Sequence, residues 1–466
     1  MRKLLLGVLL LAVVAAGVAV LVLRPGRALR VATGTVGHTL CSEVFVAGLD
    51  PKQAFREIFG SMPGIRHLPL LRYDIDRAKK EVTATVAGRF ASRAVYLDGL
   101  GCALVYGDTL SAAPVATGEG NARPVGRSDI AGPSLIEPAD EKLRDALDHA
   151  FAEPAGGPPR GTKAVVVLHD GRVVAERYAP GYGIDTPLLG WSMTKSVVNA
   201  LVGILVRQGR LSVAGPAPVP AWRDPSDPRH AITVEQLMRM TSGLALDETN
   251  TGFDPSSRML STEPDMAGFA ESAPLVAPPG TRYHYSSPST LILSRIVRDA
   301  AGGRAEDVRR FAARELFNPL GMRGVTLEFD AAGTPVGSSY MYATARDWAR
   351  FGLLYANDGV ADGRRILPEG WVRYSATPTA GARDGYGAGF FTNRGESEFG
   401  RLRVRGGMPA DSFFASGTQG QRIVIAPAER LVVVRLGRSQ DWETFDIRGL
   451  IRLVAEVNGT LNGAPR

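Results

Sequence analysis

Two stretches of β-branched sequence, "KAVVVLHDGRVVAERYA" beginning at Lys163 and "QRIVIAPAERLVVVRLG" beginning at Gln421, constrain this 466-residue chain more than any other feature. Each reads as two strands closed by a tight turn, and Asp170-Gly171 is a dipeptide that two-residue hairpins favour. The second is preceded by "DSFFASG" and followed by a predicted helix over Trp442–Val457. Between the two lies a long middle of helical and loop sequence. Strands at both ends of such a region imply an antiparallel sheet assembled from distant segments, with helices covering its faces, which is an α+β architecture.

The chain opens "MRKLLLGVLLLAVVAAGVAVLVLRPGR", two cations followed by twenty uncharged residues from Leu4 to Leu23. As a helix that run is about 30 Å long, enough to cross a bilayer. Residues 1–26 are expected to be a signal segment or a membrane anchor. Small residues over Ala15–Ala19 suit a cleavage site, whereas the apolar "VLVL" beyond them favours an uncleaved anchor. The only cysteines, Cys41 and Cys102, follow this segment, and an even count there suggests one disulfide, with two buried thiols as the alternative. The chain is therefore expected in the cell envelope, anchored in the inner membrane with its folded part in the periplasm, or exported after cleavage.

Residues 31–112 hold strand-like runs, "EVTATVAGRF" and "RAVYLDGLGCALVYG", and one helical stretch, "DPKQAFREIFG"; they are expected to form a small α+β domain. Residues 113–140, rich in Gly, Pro and Ala and without periodicity, read as a linker. Residues 141–460 form the main domain.

Within that domain, "GWSMTKSVVNALVGILVRQGR" places apolar residues Val197, Ala200, Leu201, Ile204 and Leu205 on one face of a helix. Ser192 and Lys195, three residues apart, share a face at its start. Lys195 is the last lysine of the chain, although arginines continue to Arg466. That choice has a chemical reading: a guanidinium keeps its proton, whereas a buried lysine can lose one and act as a base toward serine. An N-cap serine beside a lysine that reaches for solvent gives the same tetrad, so S-x-x-K by itself decides nothing.

Its context does more. The segments "TVEQLMRMTSGL", "PPGTRYHYSSPSTLILSRIV", "LFNPLGM", "YATARDWARFGLLYANDG" and "FFASGTQGQRIVIAPAERLVVV" follow in an order and spacing that resemble the serine β-lactamase and penicillin-binding-protein superfamily. The resemblance is closest to the class C-related branch with esterases and 6-aminohexanoate-dimer hydrolases. It implies a β-lactamase/transpeptidase-like antiparallel sheet flanked by helices, plus a helical subdomain. It further implies an acyl-enzyme on Ser192, activated by Lys195 and by Tyr285, the tyrosine of the second motif. By the same resemblance, the backbone amides of Ser192 and Gln421 form an oxyanion hole. Ser287, Thr418, Gln419 and Gly420 contact substrate. Ser287 stands where relatives have asparagine, and Thr418-Gln419-Gly420, expected to begin a strand, lacks the cation of the usual third motif. Arg422 either replaces that charge or, the favoured reading, lies at the surface.

The formal charge of +7 reflects an arginine-rich composition without a lysine run or aromatic-basic alternation, so nucleic acid is not an expected partner. No C-x-x-C or H-E-x-x-H occurs, which argues against a metal, and no cofactor is implied. The absence of G-x-S-x-G argues against an α/β-hydrolase elbow. What remains is a hydrolase of small esters, linear amides, short peptides or lactams. A non-catalytic sensor on the same fold is the alternative.

Overall fold

The computed structural model describes residues 25–60, 62–107, 130–249, 251–439 and 448–463. The expected anchor or signal over 1–26 lies, but for its last two residues, outside them, as does most of the expected linker. Among the described residues no helix is long and apolar enough to cross a membrane.

The N-terminal part is built on helix α1 (Pro25–Phe45), followed by α2 (Pro51–Phe59) and the antiparallel meander β1 (Leu71–Asp76), β2 (Glu81–Val86), β3 (Arg89–Leu97) and β4 (Gly101–Val105). The α2 helix and the strands match the sequence expectation; α1 was not anticipated. Its sequence, "PGRALRVATGTVGHTLCSEVF", is rich in β-branched and small residues because it is enclosed on several sides. A Cβ on Gly34 would lie 2.1 Å from Ser261 O, in a short helix of the main domain, and one on Gly37 would lie 3.4 Å from Ser92 O in β3. Cys41 of α1 and Cys102 of β4 form the expected disulfide, with Cα atoms 6.1 Å apart.

The main domain opens with α3 (Glu141–Phe151) and the hairpin β5 (Thr162–His169)–β6 (Arg172–Tyr178), whose turn has φ of 52° at Asp170 and 76° at Gly171, the left-handed pair that the dipeptide supplies. Helix α4 (Thr194–Arg207) follows, then the helical middle with α5 (Ser287–Ala301) and α6 (Ala345–Ala356). The chain returns through β7 (Phe391–Thr392), β8 (Phe413–Gly417), β9 (Gln421–Ala426) and β10 (Leu431–Gly437) to α7 (Leu450–Asn462). The last helix thus runs further toward the C-terminus than Trp442–Val457, and residues 440–447 are outside the described set.

These strands make one antiparallel sheet in the order β7-β8-β9-β10-β5-β6, so the two distant hairpins meet where Val433 of β10 pairs with Val167 of β5. One face, with Val165, Val167, Val424 and Val433, packs on α3 and α7. The other, with Val166, Ile423, Ile425 and Val432, packs on α6 and α4. Gly352 lets α6 approach this face closely, since a Cβ there would lie 2.7 Å from both Ile423 and Val432. The sheet and α6 between them fix the axis of α4, and with it the position of Ser192.

Candidate active site

Ser192 occupies a 3-10 turn, Trp191–Met193, that leads directly into α4. The turn is hemmed in from two sides. A Cβ on Gly190 would lie 2.4 Å from the Trp348 ring, and one on Gly417 at the end of β8 would lie 2.2 Å from Gly190 O. Trp191 adopts φ 47°, a conformation that is costly for a bulky residue. Strain of this kind persists where the surroundings hold it and gathers at reactive positions.

One turn further, Lys195 is 3% exposed while Ser192 keeps partial access to solvent. The Lys195 Nζ donates to Ser192 Oγ at 2.9 Å, to Ser287 Oγ at 2.8 Å and to the Ser338 carbonyl at 3.1 Å. Three N–H groups of an ammonium thus find three acceptors. A free amine here must still give a proton to the carbonyl, which can only accept, so its lone pair faces one of the two hydroxyls. Burial holds the amine down at about 8, opposed by the Glu248 carboxylate. The surroundings explain this: Met238, Met240, Leu293 and Tyr386 leave beside Lys195 a cavity of only about 10 Å³, at the lower limit for one water.

The helix carrying this amine is braced from below. Asn199, one turn beyond Lys195, donates to Ala388 O and Ser375 Oγ and accepts from Tyr355 and Trp371, while Ser196 donates to Gly389 O. A buried amide with its bonding capacity this fully used fixes rotation of the helix as apolar packing alone would not.

Tyr285 lies in the loop before α5, half-buried, edge-on to Tyr386 and stacked on Phe391, with Lys195 Nζ 4.8 Å from its ring centre. Loss of solvent, then the Glu248 charge, push the phenol above its ordinary range, against the Ser192 side chain and the Arg422 charge. The phenol therefore keeps its proton at neutral pH. Ser287, two residues on, begins α5, and its hydroxyl is turned to Lys195.

The third motif differs from its expected form. Thr418-Gln419-Gly420 does not begin a strand; it is the turn that joins β8 to β9, with φ of 62° at Gln419 and 82° at Gly420. Thr418 is exposed, and the Gln419 amide donates to Ile58 O in α2. Gln421 pairs across the strands with Gly417, and its side chain bonds Gly437 O and Thr418 O. The residue pressed against the Ser192 turn is Gly417. Arg422 is not at the surface: it is 6% exposed, and its Nη1 donates to the Gly417 and Gln421 carbonyls.

A sequence profile of the family described as Beta-lactamase matches residues 148–456, about two thirds of the chain. The chain belongs to the beta-lactamase family. This member of the family is 27% identical over 304 residues to a 6-aminohexanoate-dimer hydrolase of Paenarthrobacter ureafaciens, covering 62% of this chain and 76% of that one. Its fold resembles that of a penicillin-binding-protein homolog from Caulobacter crescentus, with a TM-score of 0.54 at 20% identity, over 70% of this chain and 99% of that one. A family VIII carboxylesterase aligns with a TM-score of 0.53 at 17% identity, over 69% and 98%. The α+β, β-lactamase/transpeptidase-like expectation is met, and this beta-lactamase-family protein is a serine hydrolase.

The structure brings Ser192, Lys195, Tyr285 and Ser287 together. Ser338, which touches Lys195 through its carbonyl, and Gly417, which abuts the Ser192 turn by lacking a side chain, carry no mark in the sequence. Glu248 sits alone in "LDETN", with no spacing to mark it.

Proposed function

We propose that the protein cleaves an ester or a linear amide through an acyl-enzyme on Ser192. The observation that carries this reading is the 2.9 Å contact between Ser192 Oγ and an amine held at about 8. In its neutral form Lys195 takes the serine proton as Oγ attacks the substrate carbonyl carbon. Tyr285, protonated and with its ring against the Lys195 amine, passes a proton to the leaving group. Water then attacks the acyl ester, giving a proton to the Tyr285 phenolate, and Lys195 returns its proton to Ser192 Oγ as the acid leaves. Because Gly417 abuts the nucleophile turn, the amide of Thr418, rather than that of Gln421, is the better partner for the Ser192 amide in an oxyanion hole.

The substrate reading rests on charge. A lactam or D-alanyl peptide carries a carboxylate beside the scissile bond, and the two arginines at the β8–β9 turn, Arg422 and Arg435, both direct Nη1 at backbone carbonyls. Neutral esters and amides need no such partner. The 6-aminohexanoate-dimer hydrolase relative is named for a substrate outside the lactam and D-alanyl classes. The disulfide and the apolar leader support a location in the envelope, with residues 1–26 as anchor or signal. Purified protein assayed on short-chain p-nitrophenyl esters, uncharged linear amides, D-amino-acid peptides and nitrocefin tests the proposal. Turnover confined to the first two classes is expected. Folded protein inert on all four would favour the non-catalytic sensor.

A further inference from the structure

The mechanism leaves the carboxylate that acts on Lys195 without a task. Glu248, in the loop after the "MTSGL" segment, turns its carboxylate to the start of α5, where Oε2 accepts from the Ser287 backbone amide and from Ser256 Oγ at 3.3 Å. Ser287 is the residue whose hydroxyl receives the Lys195 amine at 2.8 Å. The contacts form an unbroken line from Glu248 through Ser287 and Lys195 to Ser192. The carboxylate lies at the positive end of a 15-residue helix, where a negative charge is favoured.

We propose that Glu248 is a positioning residue of this site. It fixes the first amide of α5 so that the Ser287 hydroxyl stays on the Lys195 amine, and its charge stabilises the ammonium that forms when that amine takes the proton of Ser192. The proposal rests on the reading of Lys195 as base. The proton balance is simple: the Ser192 O–H bond breaks, an N–H bond forms on Lys195, and the new positive charge faces a carboxylate across a single serine. Burial disfavours that charge, and Glu248 is the one carboxylate among the described residues that acts on Lys195 in the opposite sense.

Other charges face the same space. Tyr285 and Tyr386 bring neutral phenols, Asp384 and Arg422 act on Tyr285 with opposite signs, and His284 pairs with Asp247 at 3.0 Å beside the Glu248 loop. Of these Tyr285 has its ring against the Lys195 amine, and it is neutral, so the field of Glu248 on the amine is not duplicated.

Glu248→Gln keeps an oxygen for the Ser287 amide and removes the charge. The assay is the pH dependence of kcat/KM on a neutral p-nitrophenyl ester. Wild type is expected to rise through about pH 8 as Lys195 deprotonates. In Glu248→Gln that limb moves down by about one pH unit, because an amine without its carboxylate loses its proton more readily. The plateau falls at least about threefold, with less change in KM. A limb that stays where wild type has it, whatever the plateau, overturns the proposal. Should Glu248→Gln fail to fold, Glu248→Asp withdraws the same charge by one methylene, and no displacement of its limb overturns the proposal equally. A wild-type profile with no limb near pH 8 would instead strike the Lys195 reading beneath it.

Discussion

Two buried ionisable groups, Lys195 in the site and Glu328 at the seam between the N-terminal part and the main domain, are displaced toward neutrality by burial from opposite sides. The amine comes down to about 8 and the carboxyl goes up to about 8. Their surroundings differ. Lys195 has an acceptor for every N–H, and its neighbour Ser192 reaches solvent from a strained turn. Glu328 is sealed: Oε1 accepts from Ser42 Oγ at 2.7 Å and the Cys102 amide at 2.8 Å, and Oε2 lies 3.4 Å from His38, whose ring is stacked on Tyr340. Burial holds that histidine down at about 4, so it is neutral. Around it, His38 Nδ1 and Thr39 Oγ1 find no partner among the described residues. A displaced pKa is common to both clusters and distinguishes neither. A reaction centre also needs a nucleophile that substrate can reach and partners for each protonation state. The Glu328 cluster has instead the character of a joint, seating α1 and the disulfide on the segment that carries Ser338 and Tyr340.

The largest expected effect breaks the joint. Opening the Cys41–Cys102 bridge, which spans 61 residues, with Cys41→Ser/Cys102→Ser removes about 4 kcal/mol of stability on loop-closure grounds. Chemical denaturation of both proteins measures this, and a difference below about 1 kcal/mol would mean that α1 is seated without the bridge. Next is the site itself. Lys195→Arg keeps the charge and loses the proton acceptor, so kcat/KM on a neutral ester should drop at least about 10²-fold with the fold intact. Near-normal turnover would remove the base role.

A smaller effect concerns substrate. Short p-nitrophenyl esters should exceed nitrocefin in kcat/KM by at least about tenfold, a gap of about 1.4 kcal/mol. A strong lactamase activity that collapses in Arg422→Ala would show that the arginine serves anionic substrates after all. The smallest is a pH effect on the joint. The stability that Glu328 contributes is whole below the ordinary carboxylate range and is lost as pH rises through about 8. The melting temperature should therefore fall over that rise in wild type and fall less in Glu328→Gln, which keeps an acceptor but cannot ionise. Parallel curves would assign the pH dependence elsewhere.

Legibility in the sequence followed the kind of signal each element carries. The hairpins around Asp170-Gly171 and over 421–437 were readable because strand periodicity and turn chemistry are local, and α4 because its apolar stripe is. Helix α1 was not, since a helix packed on several sides has no polar face and uses glycine where the backbone must approach its neighbours. Ser192 and Lys195 stood out as side-chain chemistry at a fixed spacing, and Tyr285 only through the family resemblance. Ser338 and Gly417 act through the main chain, which no residue type announces, and Glu248 reaches the site only because the loop after "MTSGL" folds onto α5. The third motif was misplaced for a related reason: Thr418-Gln419-Gly420 resembles a strand opening, yet positive φ at Gln419 and Gly420 makes it a turn.

Ser192 is the residue proposed to carry the acyl group. Treating the folded protein with a fluorophosphonate and mapping the adduct by peptide mass spectrometry tests this most directly. One phosphonyl group on the peptide containing Ser192, formed much more slowly in Lys195→Arg, is the expected result. An ester-hydrolysing protein that remains unlabelled, or carries its label on another residue, would contradict it.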